Sequence, residues 1–308
     1  MSTSLLETSI CGINLRNPTV LASGILGVSK AYFQELIDNG IGMITIKSIS
    51  RLEQEGHSCP CVLPYEAGLI NAVGYPNSGI EAAIEEFKDL KGISVPVVAN
   101  IIGKNADEFE FMAQNFLPYD FSAVEMVLSC PHTPGYGMLA GQHTVEATTE
   151  IVRAVRKNTS LPIIVKLSPN VENIAALAKA AQDAGADAIS ACNSVGPGMI
   201  INIDSREPVL DFTIGGLSGP AIKPIAIRCV YEIYEQVNIP IIGIGGITTG
   251  RDAIEMMMAG ASAVGIGSAV YYRGIDVFKK INDEIEEWLI ANNYSSIREI
   301  IGKAHANR

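Results

Sequence analysis

Short runs of almost unbroken apolar residues alternate along this chain with longer stretches whose apolar residues recur at helical spacing. The runs are Thr19–Ser23, Met43–Lys47, Val97–Ile101, Ala123–Leu128, Ile163–Leu167, Ala188–Cys192, Ile241–Ile244 and Ala263–Ile266. A strand that is apolar at successive positions has both faces covered, as parallel strands between helices do. The intervening stretches predict helices with recognisable ends. Ser29 can cap Lys30–Asn39, which Gly40 stops, and Asn105 opens a helix reaching about Phe116. Thr144–Lys157 carries Val145, Ile151, Val152 and Val155 on one stripe, and Val171–Ala184 ends at Gly185. Pro220–Gln236, Arg251–Ala259 and Asp276–Ile290 complete the set.

Eight strands with interleaved helices predict an α/β chain folded as a (β/α)8 barrel, with residues 1–308 as one domain. The alternative is a doubly wound open sheet. That fold places its glycine-rich phosphate turn after the first strand, whereas here the glycine clusters follow the last two. Two connections are long: Ser50–Gly79, which predicts a hairpin or lid over the mouth of the barrel, and residues 193–219, a second insertion. Long loops on that face are usually functional.

Chemistry collects where the strands end. Ile244-Gly245-Gly246 and Ile266-Gly267-Ser268 close the seventh and eighth strands. In many barrels these two turns bind a phosphate group through backbone N–H groups. Lys47 ends the second strand and Lys166 lies inside the fifth. A lysine in an apolar strand is costly unless paired, so either a bound anion or a barrel carboxylate such as Glu125 is its natural partner. Asn71, Asn100 and Asn193 sit at strand ends or in the long loops, and an amide can both donate to and accept from a heterocycle. Cys130 follows the fourth strand in Leu128-Ser129-Cys130-Pro131-His132, ahead of Gly135, Gly137 and Gly141, where a thiol can meet a ligand.

Composition narrows the function. Of 308 residues, 48% are hydrophobic and 18% charged, enough for a large single core. The balance of 22 basic against 33 acidic residues, a net charge of −11, argues against nucleic acid as the main partner. Six cysteines (Cys11, Cys59, Cys61, Cys130, Cys192 and Cys229) form neither a disulfide framework nor zinc knuckles, and free thiols fit a reducing cytoplasm. Cys59-Pro60-Cys61 beside His57 could hold a metal, but further ligands are not evident, so no metal is expected. The polar segment Met1–Glu7 predicts no signal peptide, and no apolar stretch reaches the ~18 residues of a membrane span.

Together these segments resemble the class 1 dihydroorotate dehydrogenases, and more closely their class 1B catalytic subunit. The likeness runs from Asn17-Pro18 and Ala22-Ser23-Gly24 to Gly267-Ser268, through Lys47-Ser48, Asn71-Ala72-Val73-Gly74, Ser129-Cys130-Pro131, Ile164–Asn170, Asn193-Ser194 and Gly215–Pro224. The C-terminal flavin domain of dihydropyrimidine dehydrogenase is similar at Ser129–His132 and Gly141-Gln142. The resemblance implies FMN, with its phosphate at Gly245, Gly246, Gly267 and Ser268 and its ring lined by Ser23, Lys47, Ser48, Asn100, Lys166, Cys192 and Gly219. It implies a pyrimidine substrate at Lys47, Asn71, Ala72, Val73, Gly74, Tyr75, Asn193 and Ser194, with Cys130 as catalytic base and a loop over Gly135–Gly141 that closes on the ring. It also implies a homodimer or heterotetramer, and a partner subunit that carries FAD and a 2Fe–2S cluster and passes electrons to NAD. This chain has no four-cysteine cluster motif of its own.

One position departs from the family: Val127 stands where relatives usually carry an Asn that reaches both flavin and pyrimidine. His132 replaces a second common Asn and can still donate one hydrogen bond. The leading expectation is oxidation of dihydroorotate to orotate. Another dihydropyrimidine such as dihydrouracil, a flavin-free Schiff-base lyase built on Lys47 or Lys166, and a non-catalytic barrel remain alternatives at this stage. NAD, reached through the partner subunit, and fumarate are the two candidate electron acceptors.

Overall fold

The computed structural model describes residues 4–129 and 141–306; Cys130, His132, Gly135 and Gly137 lie outside them. Eight parallel strands form the barrel: β1 (Thr19–Leu21), β2 (Met43–Thr45), β3 (Val97–Ile101), β4 (Ala123–Val127), β5 (Ile163–Leu167), β6 (Ala188–Ala191), β7 (Ile241–Ile244) and β8 (Ala263–Ile266). They pair in chain order, and β8 closes on β1 with Gly265 opposite Val20. The (β/α)8 expectation holds.

Four of the expected strands ran on to Ser23, Lys47, Leu128 and Cys192, past the ladder. Lys47 and Cys192 turn out of it at the mouth, where the Lys47 N–H donates to Gly27 O at 2.9 Å and the Cys192 N–H to Ile244 O at 2.8 Å, while the Leu128 N–H still reaches Lys166 O at 3.3 Å. The predicted caps on Asn105 and Thr144 are present, each side-chain oxygen accepting a backbone N–H of the first turn. Gly185 ends its helix in the left-handed conformation, φ 108°. Ser29 caps a single 3₁₀ turn that leads into the helix Phe33–Asp38. Val171 and Glu172 lie outside their helix, which begins at Ile174 after an Asn173 cap. Helix Gly79–Phe87 was not anticipated.

Side chains alternate across a strand, so residues two apart share the barrel interior. The lower rung is aliphatic: Val20, Met43, Val98, Ala123, Ile164, Ala188, Ile242 and Ala263 pack together. Ile10 and Leu15 seal it from below, carried by an antiparallel hairpin of Thr8–Ile10 and Ile13–Leu15. Two residues further along the same strands come Asn100, Glu125, Lys166 and Ser190, all buried. The interior therefore changes from dry and apolar to polar at mid-height, below the mouth.

The two long connections form one structure. Val62–Tyr65 and Gly68–Asn71 make a hairpin, and Gly68–Asn71 also pairs antiparallel with Gly215–Ser218 from the second insertion. With Val195–Gly198 this is a four-stranded sheet. It packs on its own small core of Ile70, Ala72 and Leu210.

Candidate active site

A cavity of about 280 Å³ opens at the C-terminal ends of the strands, bounded by that sheet. Its lining unites residues far apart in sequence: Ser23, Lys47, Ser48, Lys166, Cys192, Asn193, Ser194, Gly219, Gly245, Gly246, Gly267 and Ser268. Asn71, Val73, Gly74 and Tyr75 face it from the hairpin side. Two expected residues are absent from this wall. Ala72 points the other way from Asn71 and Val73, as strand alternation requires, and is buried in the sheet's own core. Asn100 sits on the polar rung behind the cavity and donates to Glu125 Oε1 at 2.5 Å. Cys130, the expected base, lies outside the described residues, as does most of the loop expected to close over the ring.

The two lysines sit in different surroundings. Lys166 is buried; its Nζ donates to Ser23 Oγ at 2.9 Å and lies 3.7 Å from Glu125 Oε1. The barrel carboxylate expected as a partner of this lysine is therefore present, and the lysine also lines the cavity. The Glu125 carboxylate is held on its other oxygen by Ser190 Oγ at 2.7 Å. Lys47 is half-buried and makes no ion pair with a carboxylate among the described residues. Burial pushes its pKa below the ordinary 10.5, with the Cys61 thiol acting weakly the other way. Lys47 is thus a cavity-facing cation with no acidic partner among the described residues.

The amides are pre-arranged. Asn193 Nδ2 donates to Ser129 Oγ at 2.9 Å, which ties β6 to the residue before Cys130. Asn193 Oδ1 accepts the Ser194 N–H at 2.8 Å. Asn170, to which the sequence alone gives no role, donates to Ser194 O at 3.1 Å and accepts the Gly196 N–H at 2.8 Å, so it holds that loop. Asn71 Nδ2 reaches Gly216 O at 3.2 Å across the sheet.

At the glycine end, Gly246 has φ +73° and lies against the first turn of the helix Lys223–Tyr234. A Cβ there would stand 2.5 Å from Lys223 Cβ, so only glycine fits. Behind this turn Thr249 and Asp252 form a capping box, and Asp252 Oδ1 accepts from Lys223 Nζ at 2.8 Å. Burial raises the Asp252 carboxyl's pKa, but the Lys223 ammonium and hydrogen bonds from Thr248 and Thr249 outweigh it and bring the value down to about 2.

Cys192 is a wall residue. Its contact with the Cys229 thiol and its burial hold it protonated, well above an ordinary thiol. Val127 also lines the cavity and packs with Ile102 and Tyr75, an apolar patch facing the ligand space. The sulfurs of Cys59 and Cys61 are 3.9 Å apart, while the His57 ring stacks on Phe212 with centroids 3.9 Å apart. Among the described residues no three His, Cys, Asp or Glu side chains are grouped to hold a metal ion, and no helix is long and apolar enough to cross a membrane.

Comparison with known proteins fits this geometry. A family profile described as "Dihydroorotate dehydrogenase" matches residues 5–289. "Dihydroorotate dehydrogenase B (NAD(+)), catalytic subunit" of Methanocaldococcus jannaschii is 43% identical over 309 residues, covering 99% of this chain and 100% of that protein. The protein of the same name from Pyrococcus horikoshii is 44% identical over 300 residues, covering 97% and 98%. The crystal structure of DHODH in complex with ferulenol from Eimeria tenella superposes with a TM-score of 0.84 at 23% identity, covering 97% of this chain and 88% of that one; it bears on the fold alone. The chain belongs to the dihydroorotate dehydrogenase family of flavin-dependent oxidoreductases, in its class 1B.

Proposed function

We propose that this chain, as a single barrel over 1–308, binds FMN and oxidises (S)-dihydroorotate to orotate in pyrimidine biosynthesis, with Cys130 as base. The observation that carries the substrate assignment is Lys47: a half-buried ammonium with no carboxylate partner among the described residues, on the same cavity wall as the amides Asn71 and Asn193. A pyrimidine ring bearing a carboxylate satisfies both features.

The residues present fit the flavin. Gly245 and Gly246, packed where a side chain would collide, and Gly267 with Ser268 would hold its phosphate. Ser23, Ser48, Cys192 and Gly219 would line the ring, and Lys166 supplies the positive charge that a reduced ring needs. FMN, when bound, supplies the acceptor for the hydride that leaves C6. The chain's own groups do the rest. Lys47 pairs with the substrate carboxylate, the Asn193–Ser194 segment orients the ring, and the C5 proton passes to the Cys130 thiolate. The C5–C6 bond becomes double as the proton and hydride depart.

A partner subunit carrying FAD and a 2Fe–2S cluster would take the electrons on to NAD, with the chain assembled as a homodimer or heterotetramer in the cytoplasm. One observation favours a second substrate reading. Val127 offers no hydrogen bond from its place on the cavity wall, which suits a less polar ring such as dihydrouracil. Extraction of the bound chromophore and its chromatographic identification tests the cofactor. Steady-state comparison of dihydroorotate with dihydrouracil tests the substrate. A protein that turns over dihydrouracil better than dihydroorotate would overturn the first assignment.

A further inference from the structure

Glu125 and Lys166 are the only charged side chains among the described residues that are buried outright, and they share one rung of the barrel interior. The rung below is filled by aliphatic groups, so packing alone does not call for charges here. Their pairing is uneven. Lys166 Nζ is 2.9 Å from Ser23 Oγ and lines the cavity, but stands 3.7 Å from Glu125 Oε1. Glu125 does not line the cavity and is gripped by neutral donors, Asn100 Nδ2 at 2.5 Å and Ser190 Oγ at 2.7 Å. Strands β3 and β6 therefore clamp the carboxylate from both sides, at a fixed distance behind the lysine.

A charge held this way acts as a source of field. In a low-dielectric interior the carboxylate cancels part of the lysine's positive charge at any group in front of it. It touches neither substrate nor cofactor, so its influence on the cavity runs through Lys166.

We propose that Glu125 is a positioning residue that sets how much of the Lys166 charge reaches the bound flavin, and thereby the flavin's reduction potential. This rests on the flavin reading above. Reduction adds negative charge to the ring, which the uncompensated lysine stabilises more than the compensated one. Removing the carboxylate's charge therefore favours the reduced form.

The test is the midpoint potential of the bound flavin, measured by dye-equilibrated reduction of purified holoenzyme. Three proteins are compared: wild type, the isosteric Glu125→Gln, and Glu125→Asp, which keeps the charge but withdraws it by one methylene. For Glu125→Gln the ratio of reduced to oxidised flavin affinity should rise tenfold or more, a positive shift of about 30 mV or more for a two-electron couple. Glu125→Asp should move in the same direction by less. If Glu125→Gln does not fold, the sign of the Glu125→Asp shift decides. An unchanged or more negative potential overturns the proposal. So does a loss of flavin content and thermal stability in which the remaining flavin keeps the wild-type potential, because that is the signature of a purely structural carboxylate. A wild-type protein that holds no flavin would sink the functional reading itself, whereas flavin bound at one common potential would sink only the role of Glu125.

Discussion

Replacing Lys47 with alanine should separate the carboxylate-bearing substrate from its relatives. The backbone at this position is anchored by the bond from the Lys47 N–H to Gly27 O, so the truncation removes the ammonium and leaves the strand end in place. No carboxylate of the described chain competes for that charge. A charge pair at about 4 Å with an effective dielectric near 20 amounts to roughly 4 kcal/mol. Truncating one partner of a desolvated pair costs about 2–5 kcal/mol. At about 1.4 kcal/mol per tenfold, affinity for dihydroorotate or orotate should fall roughly 30- to 4,000-fold. Dihydrouracil carries no carboxylate, so its kcat/KM should change by less than about tenfold, the loss of packing alone.

The assay is titration of the flavin spectrum with orotate, alongside kcat/KM for both substrates and a check of flavin content. The pH dependence adds a sign. Burial depresses the Lys47 pKa, so its charge is lost at a lower pH than an ordinary lysine's 10.5. Anion binding needs the charged form and should weaken as pH rises through that lowered value. The alanine variant should lack this alkaline limb. Equal losses for both substrates, or no loss for orotate, would refute the assignment of Lys47 to the carboxylate.

Three other perturbations follow from the geometry. Val127→Asn places an amide among Ile102 and Tyr75; the ligand-free protein should lose about 1–3 kcal/mol, and orotate should restore part of that, seen as a larger ligand-induced rise in Tm than in wild type. An unaltered ligand response would mean that position 127 does not face the substrate. Gly246→Ala forces a Cβ to within 2.5 Å of Lys223 Cβ at φ +73°; flavin content after purification should drop at least tenfold, and full retention would remove this turn from the phosphate site. Asp252→Asn should cost on the order of 1–2 kcal/mol at neutral pH, allowing for partial solvent screening. Because the folded carboxyl titrates at about 2 against 3.8 unperturbed, its contribution is present above about pH 4 and fades as pH falls toward 2. Urea unfolding at pH 7 and pH 3 should show a smaller gap between variant and wild type at the lower pH, and a constant gap would contradict the ion pair with Lys223.

The barrel was legible because its strands are buried on both faces, which leaves runs such as Ile163–Leu167 apolar at all positions but Lys166. The glycine turns and both lysines were legible for a related reason: they interrupt those runs where a packed core would not. Pairing at long range was not. Asn71 meets Gly216 in a sheet that joins segments 145 residues apart, and no local pattern encodes that partner. Of the Asn71–Tyr75 run, Ala72 alone turns away from the cavity, into the sheet's own core, while Val73, Gly74 and Tyr75 follow one another along its wall. Asn100 was expected against the flavin; it shares the polar rung of Lys166, and its Nδ2 donates to Glu125 while its Oδ1 has no hydrogen-bond partner among the described residues. Helix Gly79–Phe87 escaped notice because it starts at a glycine after a serine whose side chain makes no capping bond.

The most direct test of the central claim is the reductive half-reaction. Anaerobic mixing of the purified protein with dihydroorotate should bleach the flavin absorbance and release orotate in equal amounts, while Cys130→Ser should keep its flavin and reduce it at least a hundredfold more slowly at neutral pH. Flavin that stays oxidised in the presence of dihydroorotate, or a Cys130→Ser variant that reduces at the wild-type rate, would contradict it.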